Sequence, residues 1–279
     1  MTIKIVTDSS VQLTAAELAQ YDIHVVPLLV GFGGDLIADN TVDPAAFDQQ
    51  MATSPVLPTT SQPPIGDFVQ LYDQLTADGS TVLSLHLTET LSGTVNAARQ
   101  AAKLTDGNVT VVDTHAADRG LAFQVLTAAR MAHGGADLDS ILAKINVIRA
   151  HTKTYLFVDT LDNLVKGGRV PKVAGMVTNL IKLKFVFELA DGKLKFYTRG
   201  RGKKALIKAQ SQILAQLQDA TRVEAAGISY VGDESVASAP ETLMQKVCPQ
   251  ADLLVARTSP IIATHTGVGA YALMFYTVD

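Results

Sequence analysis

Three short segments concentrate hydroxyl side chains: Thr59-Thr60-Ser61-Gln62, Thr88-Glu89-Thr90-Leu91-Ser92-Gly93-Thr94 and Thr264-His265-Thr266-Gly267. Each falls where a strand or helix is expected to end. Ser92 precedes a helical stretch, where free backbone N–H groups and the positive end of the dipole favour an oxygen anion. A carboxylate or phosphate oxygen is therefore the natural guest of such donors. Ser and Thr are also ordinary N-caps and turn residues, and for any one segment taken alone that is the commoner role. His265 is the one histidine in these segments, and a single His is more often structural than chemical. Asp8, after the first strand, reads as a turn or cap carboxylate.

Ser92, His265 and Asp8 raise the alternative of a serine hydrolase. The Gly-x-Ser-x-Gly elbow is missing around Ser92, and the order Asp…Ser…His matches no common triad, although triads are defined by geometry. There is no Gly-x-x-x-x-Gly-Lys-Ser/Thr loop for nucleotide phosphates and no Gly-x-Gly-x-x-Gly after the first strand. The six histidines have no metal-ligand spacing, and Cys248 is the single cysteine, which excludes an internal disulfide and a thiolate zinc cluster.

The elements that must carry these groups alternate over the first half of the chain. Strands are expected at 3–6, 23–30, 81–87 and 109–112. Helices are expected at 14–20, 44–51, 66–75, 93–104, 121–133 and 138–150. Strands separated by helices predict a parallel sheet covered on both faces. The second half reads as α+β. Strands are expected at 155–158, 185–189, 193–197, 223–230, 252–257 and 270–278, with a hairpin turn at Ala190-Asp191-Gly192. Helices are expected at 161–165, 173–181, 203–218 and 240–246. The chain divides into domains 1–153 and 154–279. With 279 residues, 47% apolar and 18% charged, both halves can bury a core.

The net charge of −4 argues against a nucleic-acid binder. It hides an asymmetry. Residues 1–150 carry seven basic against sixteen acidic residues, a balance of −9, and the remainder is +5. Residues 166–208 hold twelve Lys/Arg against Glu188 and Asp191. Within them, Lys166-Gly-Gly-Arg169 and Arg199-Gly-Arg-Gly-Lys-Lys204 are Gly-interrupted and loop-like. Such a density of like charge calls for an anionic counterpart, phosphate or an acidic protein surface. No apolar run is long enough to span a membrane, and the N-terminus opens as a strand, so the default location is the cytoplasm.

Taken together, five motifs in order resemble the DegV family of bacterial fatty-acid-binding proteins. They are Val6-Thr-Asp-Ser-Ser10, Thr60-Ser-Gln-Pro63, Leu91-Ser-Gly-Thr94, Thr160-Leu-x-x-Leu-x-Lys-Gly-Gly-Arg169 and Thr264-His-Thr-Gly267. The resemblance implies a two-domain protein with a long-chain fatty acid buried between the domains. It implies a non-catalytic subunit that presents the carboxyl group to a separate ATP-binding fatty acid kinase subunit. The acyl phosphate formed there feeds phospholipid synthesis. By match to the motifs, Thr60, Ser92 and His265 would contact the carboxylate, with Ser61, Gly93 and Thr264 beside them. Arg169 and Arg201, or Arg199 in its place, would face the kinase. Burying a tail of about sixteen carbons at ~0.8 kcal/mol per CH₂ gives on the order of 10 kcal/mol before entropic costs. Three outcomes are distinguished: a lipid carrier, a hydrolase built on Ser92 and His265, and a regulatory protein whose basic face meets an acidic partner without lipid.

Overall fold

A computed structural model of the chain describes residues 2–171, 183–217 and 222–278. The first domain is built on β1 (Ile3–Asp8), β2 (His24–Val26), β6 (Thr81–His86) and β7 (Val109–Asp113), all parallel in the order β2-β1-β6-β7. Every residue of β6 is buried, as expected of a central strand with helices on both faces. Helices α3 (Ile65–Thr76) and α4 (Thr94–Ala101) pack Phe68, Tyr72, Ala97 and Ala98 against one face. Helices α5 (Asp118–His133) and α6 (Leu138–His151) bury Leu121, Val125, Ile141 and Ile145 against the other. Before them, α1 (Ala15–Gln20) starts in a capping box. Thr14 Oγ1 accepts from Glu17 N, and the Glu17 carboxylate accepts from Thr14 N.

Between β2 and α3 lies an arm that the sequence left largely irregular. The expected strand 23–30 is broken at Pro27, which has no N–H to donate to a ladder. The chain resumes as β3 (Leu29–Gly31), flanked by β4 (Ile37–Ala38) and β5 (Thr59–Ser61) in a small antiparallel sheet. Helix α2 (Pro44–Thr53) has Asp43 as N-cap, accepting from Ala46 N at 2.7 Å, and Pro44 at its first position. The arm buries Leu28, Val30, Phe47 and Met51 against the second domain rather than against its own. Asp48 pairs with Arg257 and accepts from Gly232 N.

The chain passes from α6 directly into β8 (Thr152–Val158), the start of the second domain. Its six-stranded sheet has the order β10-β9-β8-β13-β11-β12. It contains the hairpin β9 (Leu183–Ala190) and β10 (Lys193–Arg201), then β11 (Arg222–Tyr230), β12 (Asp252–Arg257) and β13 (Tyr271–Val278). All neighbours are antiparallel except β11 and β12, which α9 (Ser235–Val247) connects. Helix α9 starts before Pro240, so that proline lies inside it. Helix α8 (Gly202–Ala215) covers the same face of the sheet, burying Ile213 and Leu214. Arg199 and Arg201, expected in a loop, are exposed residues of β10. Helix α7 (Asp162–Lys166) follows β8, and the expected helix 173–181 lies outside the described residues. His265 was expected in a loop and instead belongs to the last turn of α10 (Pro260–Thr266). Pro260 at the first position starts that helix.

The start of α5 joins the two domains. Asp118 has φ 58°, a left-handed conformation that directs its carboxylate into the second domain. Its Oδ1 accepts from Ser229 Oγ at 2.6 Å and its Oδ2 from Thr258 Oγ1 at 2.6 Å. Next to it, Arg119 makes a bidentate pair with Glu17 at 2.8 and 2.9 Å. Phe123 and Ile148 complete the junction by packing on Met274 and Tyr276.

Candidate functional site

Where the two domains and the arm meet, the structure forms a cavity of about 550 Å³. Its long walls are aliphatic, with Leu28, Leu87, Leu156, Leu164, Ile261 and Met274 among them. One region of the wall is polar, and all three hydroxyl segments reach it. Thr60 and Ser61 come from β5, Ser92 and Gly93 from the turn before α4, and His265 from α10. The segments lie far apart in the chain, and the fold brings them together because the arm returns to the second domain before α3 begins.

Thr60 Oγ1 and His265 Nε2 are 2.9 Å apart. The Nδ1 edge of His265 is buried without a hydrogen-bond partner. It faces Gly167, where a β-carbon would collide with Nδ1, so glycine is what lets the ring sit there. Burial, followed by the positive charge of Arg169, pushes the His265 pKa down to about 3. The ring is therefore neutral at physiological pH. Ser92 Oγ lies 2.8 Å from Thr94 Oγ1 and accepts from Thr94 N at 3.3 Å. Gly93 is in such close contact with the Gln62 side chain that a β-carbon would overlap it, which seats β5 against the start of α4.

Arg169 departs from expectation. The sequence placed it on a docking face with Arg199 and Arg201, yet it is half-buried in the wall of this cavity. Its Nε donates to Leu91 O at 2.9 Å and its Nη1 to Gly167 O at 2.5 Å, tying α7 to the loop that carries Ser92. Burial lowers its pKa from the usual arginine value. Among the described residues no carboxylate pairs with it. A charge run in a sequence resembles a solvated face, and only the tertiary contact with Leu91 separates Arg169 from Arg199 and Arg201.

Thr264 also differs. Its hydroxyl donates to Pro260 O at 2.8 Å within α10, and its carbonyl accepts from Asn163 Nδ2 at 2.9 Å. Thr266, one residue past His265, lines the cavity instead. Asp118 was not foreseen. It contributes a buried carboxylate to the wall, with its pKa raised by burial and its oxygens already occupied by Ser229, Thr258 and the Arg119 N–H. Nothing in the local sequence marks it, because its role depends on a positive φ and on partners more than one hundred residues away.

The groups suggested for a hydrolase are not assembled. Among the described residues Ser92 and His265 share no hydrogen bond. Asp8 is buried on a different histidine: His86 Nδ1 donates to Asp8 Oδ2 at 3.0 Å, and Ser84 Oγ lies 2.7 Å from His86 Nε2. That chain ends on the Tyr72 hydroxyl, 2.8 Å from Ser84, and all four side chains are fully buried. It is a sealed structural network with no room for a substrate. Among the described residues no group of His, Cys, Asp or Glu could hold a metal ion, and no helix is long and apolar enough to cross a membrane.

The family model described as "Uncharacterised protein, DegV family" matches residues 2–278. A DegV domain-containing protein of Listeria monocytogenes is 42% identical over 281 residues, covering 99% of each chain. Among solved structures, a DegV family protein from Thermus thermophilus described for fatty acid binding is similar at a TM-score of 0.89. It is 32% identical, with 100% of both chains covered. DegV from Bacillus subtilis, described as a fatty acid binding protein, matches at a TM-score of 0.89 and 26% identity, again with 100% of both chains covered.

Proposed function

The chain belongs to the DegV family, and we propose that it holds one long-chain fatty acid in the interdomain cavity. The carboxylate sits among Thr60, Ser92, His265 and Arg169, and the tail lies along the aliphatic walls. The observation that carries this reading is the pairing of an aliphatic-walled cavity with a polar end that contains a half-buried arginine which, among the described residues, has no carboxylate partner. A guest that satisfies both parts has an anionic oxygen head and a long apolar body. Related proteins described as binding fatty acids support the same class of guest.

The donors divide the work. Among the described residues, Arg169 supplies the one full positive charge of the lining and favours the ionised head. Thr60 and Ser92 supply neutral donors, and a neutral His265 contributes a ring nitrogen without a second charge. A carboxylate held this way stays nucleophilic toward an incoming phosphoryl group. We further propose that the protein presents this carboxylate to a separate ATP-using kinase subunit, and that the acyl phosphate so made enters phospholipid synthesis. Support comes from the absence of any phosphate-loop motif in the chain and from the exposed Arg199 and Arg201 on β10 as an electrostatic docking face. The serine hydrolase alternative is set aside, because Ser92, His265 and Asp8 are each engaged with other partners.

Extraction of the purified protein with organic solvent, followed by mass spectrometry, tests the binding reading. Close to one fatty acid per chain is expected. A protein that arrives empty and refuses added fatty acid would overturn it. Arg199→Ala and Arg201→Ala are expected to keep the lipid and to weaken a salt-sensitive interaction with the kinase subunit. Loss of lipid in either variant would contradict that separation.

A further inference from the structure

Behind one wall of the cavity lies a second chamber of about 220 Å³. Thr154 and Leu189 line both spaces, so these two side chains stand between them. The register of the second sheet explains this. Alternate residues of a strand share a face. Leu156 pairs with Ala272 and Thr154 with Met274, and these two successive pairs line the cavity. Thr152, the next residue of β8 on that face, lines the second chamber. On β9, Phe187 stands opposite Leu156, which brings Leu189 alongside Thr154.

Several other walls back onto packed side chains. Leu28, Leu156, Leu164 and Ile261 belong to one packed core, and Leu87 and Ala117 to another. A void next to Ile262 and Thr266 measures about 10 Å³, room for at most a single water. An acyl chain that outgrows the cavity toward this wall passes Thr154 and Leu189. Beyond them it meets Arg149, Lys153, Glu188 and Asp191. A methyl terminus there would strip water from charged groups and return nothing for it.

We propose that Leu189 and Thr154 are the stop that fixes the longest acyl chain the protein accepts. The inference rests on the fatty-acid reading above and adds a specificity determinant to it. The cutoff is sharp because the space past the stop is polar. Chains up to the stop gain affinity with each carbon, and chains past it lose affinity.

Titration of delipidated protein with saturated fatty acids from about twelve to about twenty-two carbons reads this directly. For the wild type, affinity is expected to rise with length and then fall at least tenfold at the first acid past the stop. Leu189→Ala is expected to move that break by two or more carbons toward longer acids. The ω-hydroxy form of the first excluded acid is expected to bind Leu189→Ala more tightly than the methyl-terminated form. Thr154→Ala gives the same direction from the other half of the partition, and Leu189→Val supplies a milder opening should Leu189→Ala fail to fold. A break that stays at the wild-type length in the folded variants overturns the stop while leaving fatty acid binding intact. A wild type that takes up no acid of any length overturns the binding reading itself, and the stop with it.

Discussion

Replacing Arg169 by Met removes what is, among the described residues, the one positive charge at the polar end of the cavity, and keeps a stem of similar length. Among the described residues Arg169 has no carboxylate partner, and it donates to the carbonyls of Leu91 and Gly167. Its remaining N–H groups are free to meet an anionic head. A hydrogen bond to a charged group contributes about 1.5–3 kcal/mol, which converts to a loss of roughly tenfold to a hundredfold in fatty acid affinity. The same change reaches His265. Two causes hold that ring near pKa 3, burial first and the Arg169 charge second. Without the charge, the His265 pKa rises but stays below the ordinary value, because burial remains. Binding by calorimetry and His265 titration by NMR measure the two effects in one variant. Arg169→Lys serves as the partner experiment. It keeps the charge, so His265 stays low, but it lacks the planar fork and recovers only part of the affinity. Wild-type affinity together with an unmoved His265 in Arg169→Met would refute the placement of this arginine at the carboxylate.

Ser92→Ala removes a neutral donor to a charged head and is expected to weaken fatty acid binding by about 1.5–3 kcal/mol in the same titration. Unchanged binding would remove Ser92 from the site. Gly167→Ala places a β-carbon against His265 Nδ1. It is expected to displace the ring and break the Thr60 contact, lowering affinity several-fold while the melting temperature moves little. Stability is expected to depend on pH through His265. Its folded pKa of about 3 lies below the unfolded value of ~6.5, so the unfolded chain binds the proton first on acidification. The contribution is complete above pH ~6.5 and is lost as pH falls toward 3, by at most on the order of 4–5 kcal/mol. His265→Gln should flatten that part of the denaturation profile, and an unchanged slope between those pH values would contradict the burial of a neutral ring.

Much of the architecture was legible because its signals are local. The apolar run of β6 is what a strand buried on both faces requires. Thr14, Asp43 and Pro44 mark helix starts by chemistry that acts within one turn. The hydroxyl segments could be noticed for the same reason, since residue type alone makes them donors. The arm escaped because β3, β4 and β5 are two or three residues long and too short to display a period. His265 was misplaced in a loop although Ser259-Pro260 signals a helix start one turn earlier. Arg169 and Asp118 depend on partners supplied from other parts of the chain, Leu91 for one and Ser229 and Thr258 for the other. A basic run and an isolated aspartate look the same in sequence whether they meet water or a cavity. Arg199 and Arg201 stand exposed on β10, whereas Arg169 lines the cavity.

The central claim is that one carboxylate occupies the meeting point of Thr60, Ser92, His265 and Arg169. A crystal structure of the delipidated protein reloaded with a saturated acid of about sixteen carbons tests it most directly. The account predicts continuous density for the tail along Leu156 and Met274, with carboxylate oxygens within ~3 Å of Ser92 Oγ and the Arg169 guanidinium. Density with the head directed toward Thr154 and Leu189, or a cavity left empty after reloading, would contradict it.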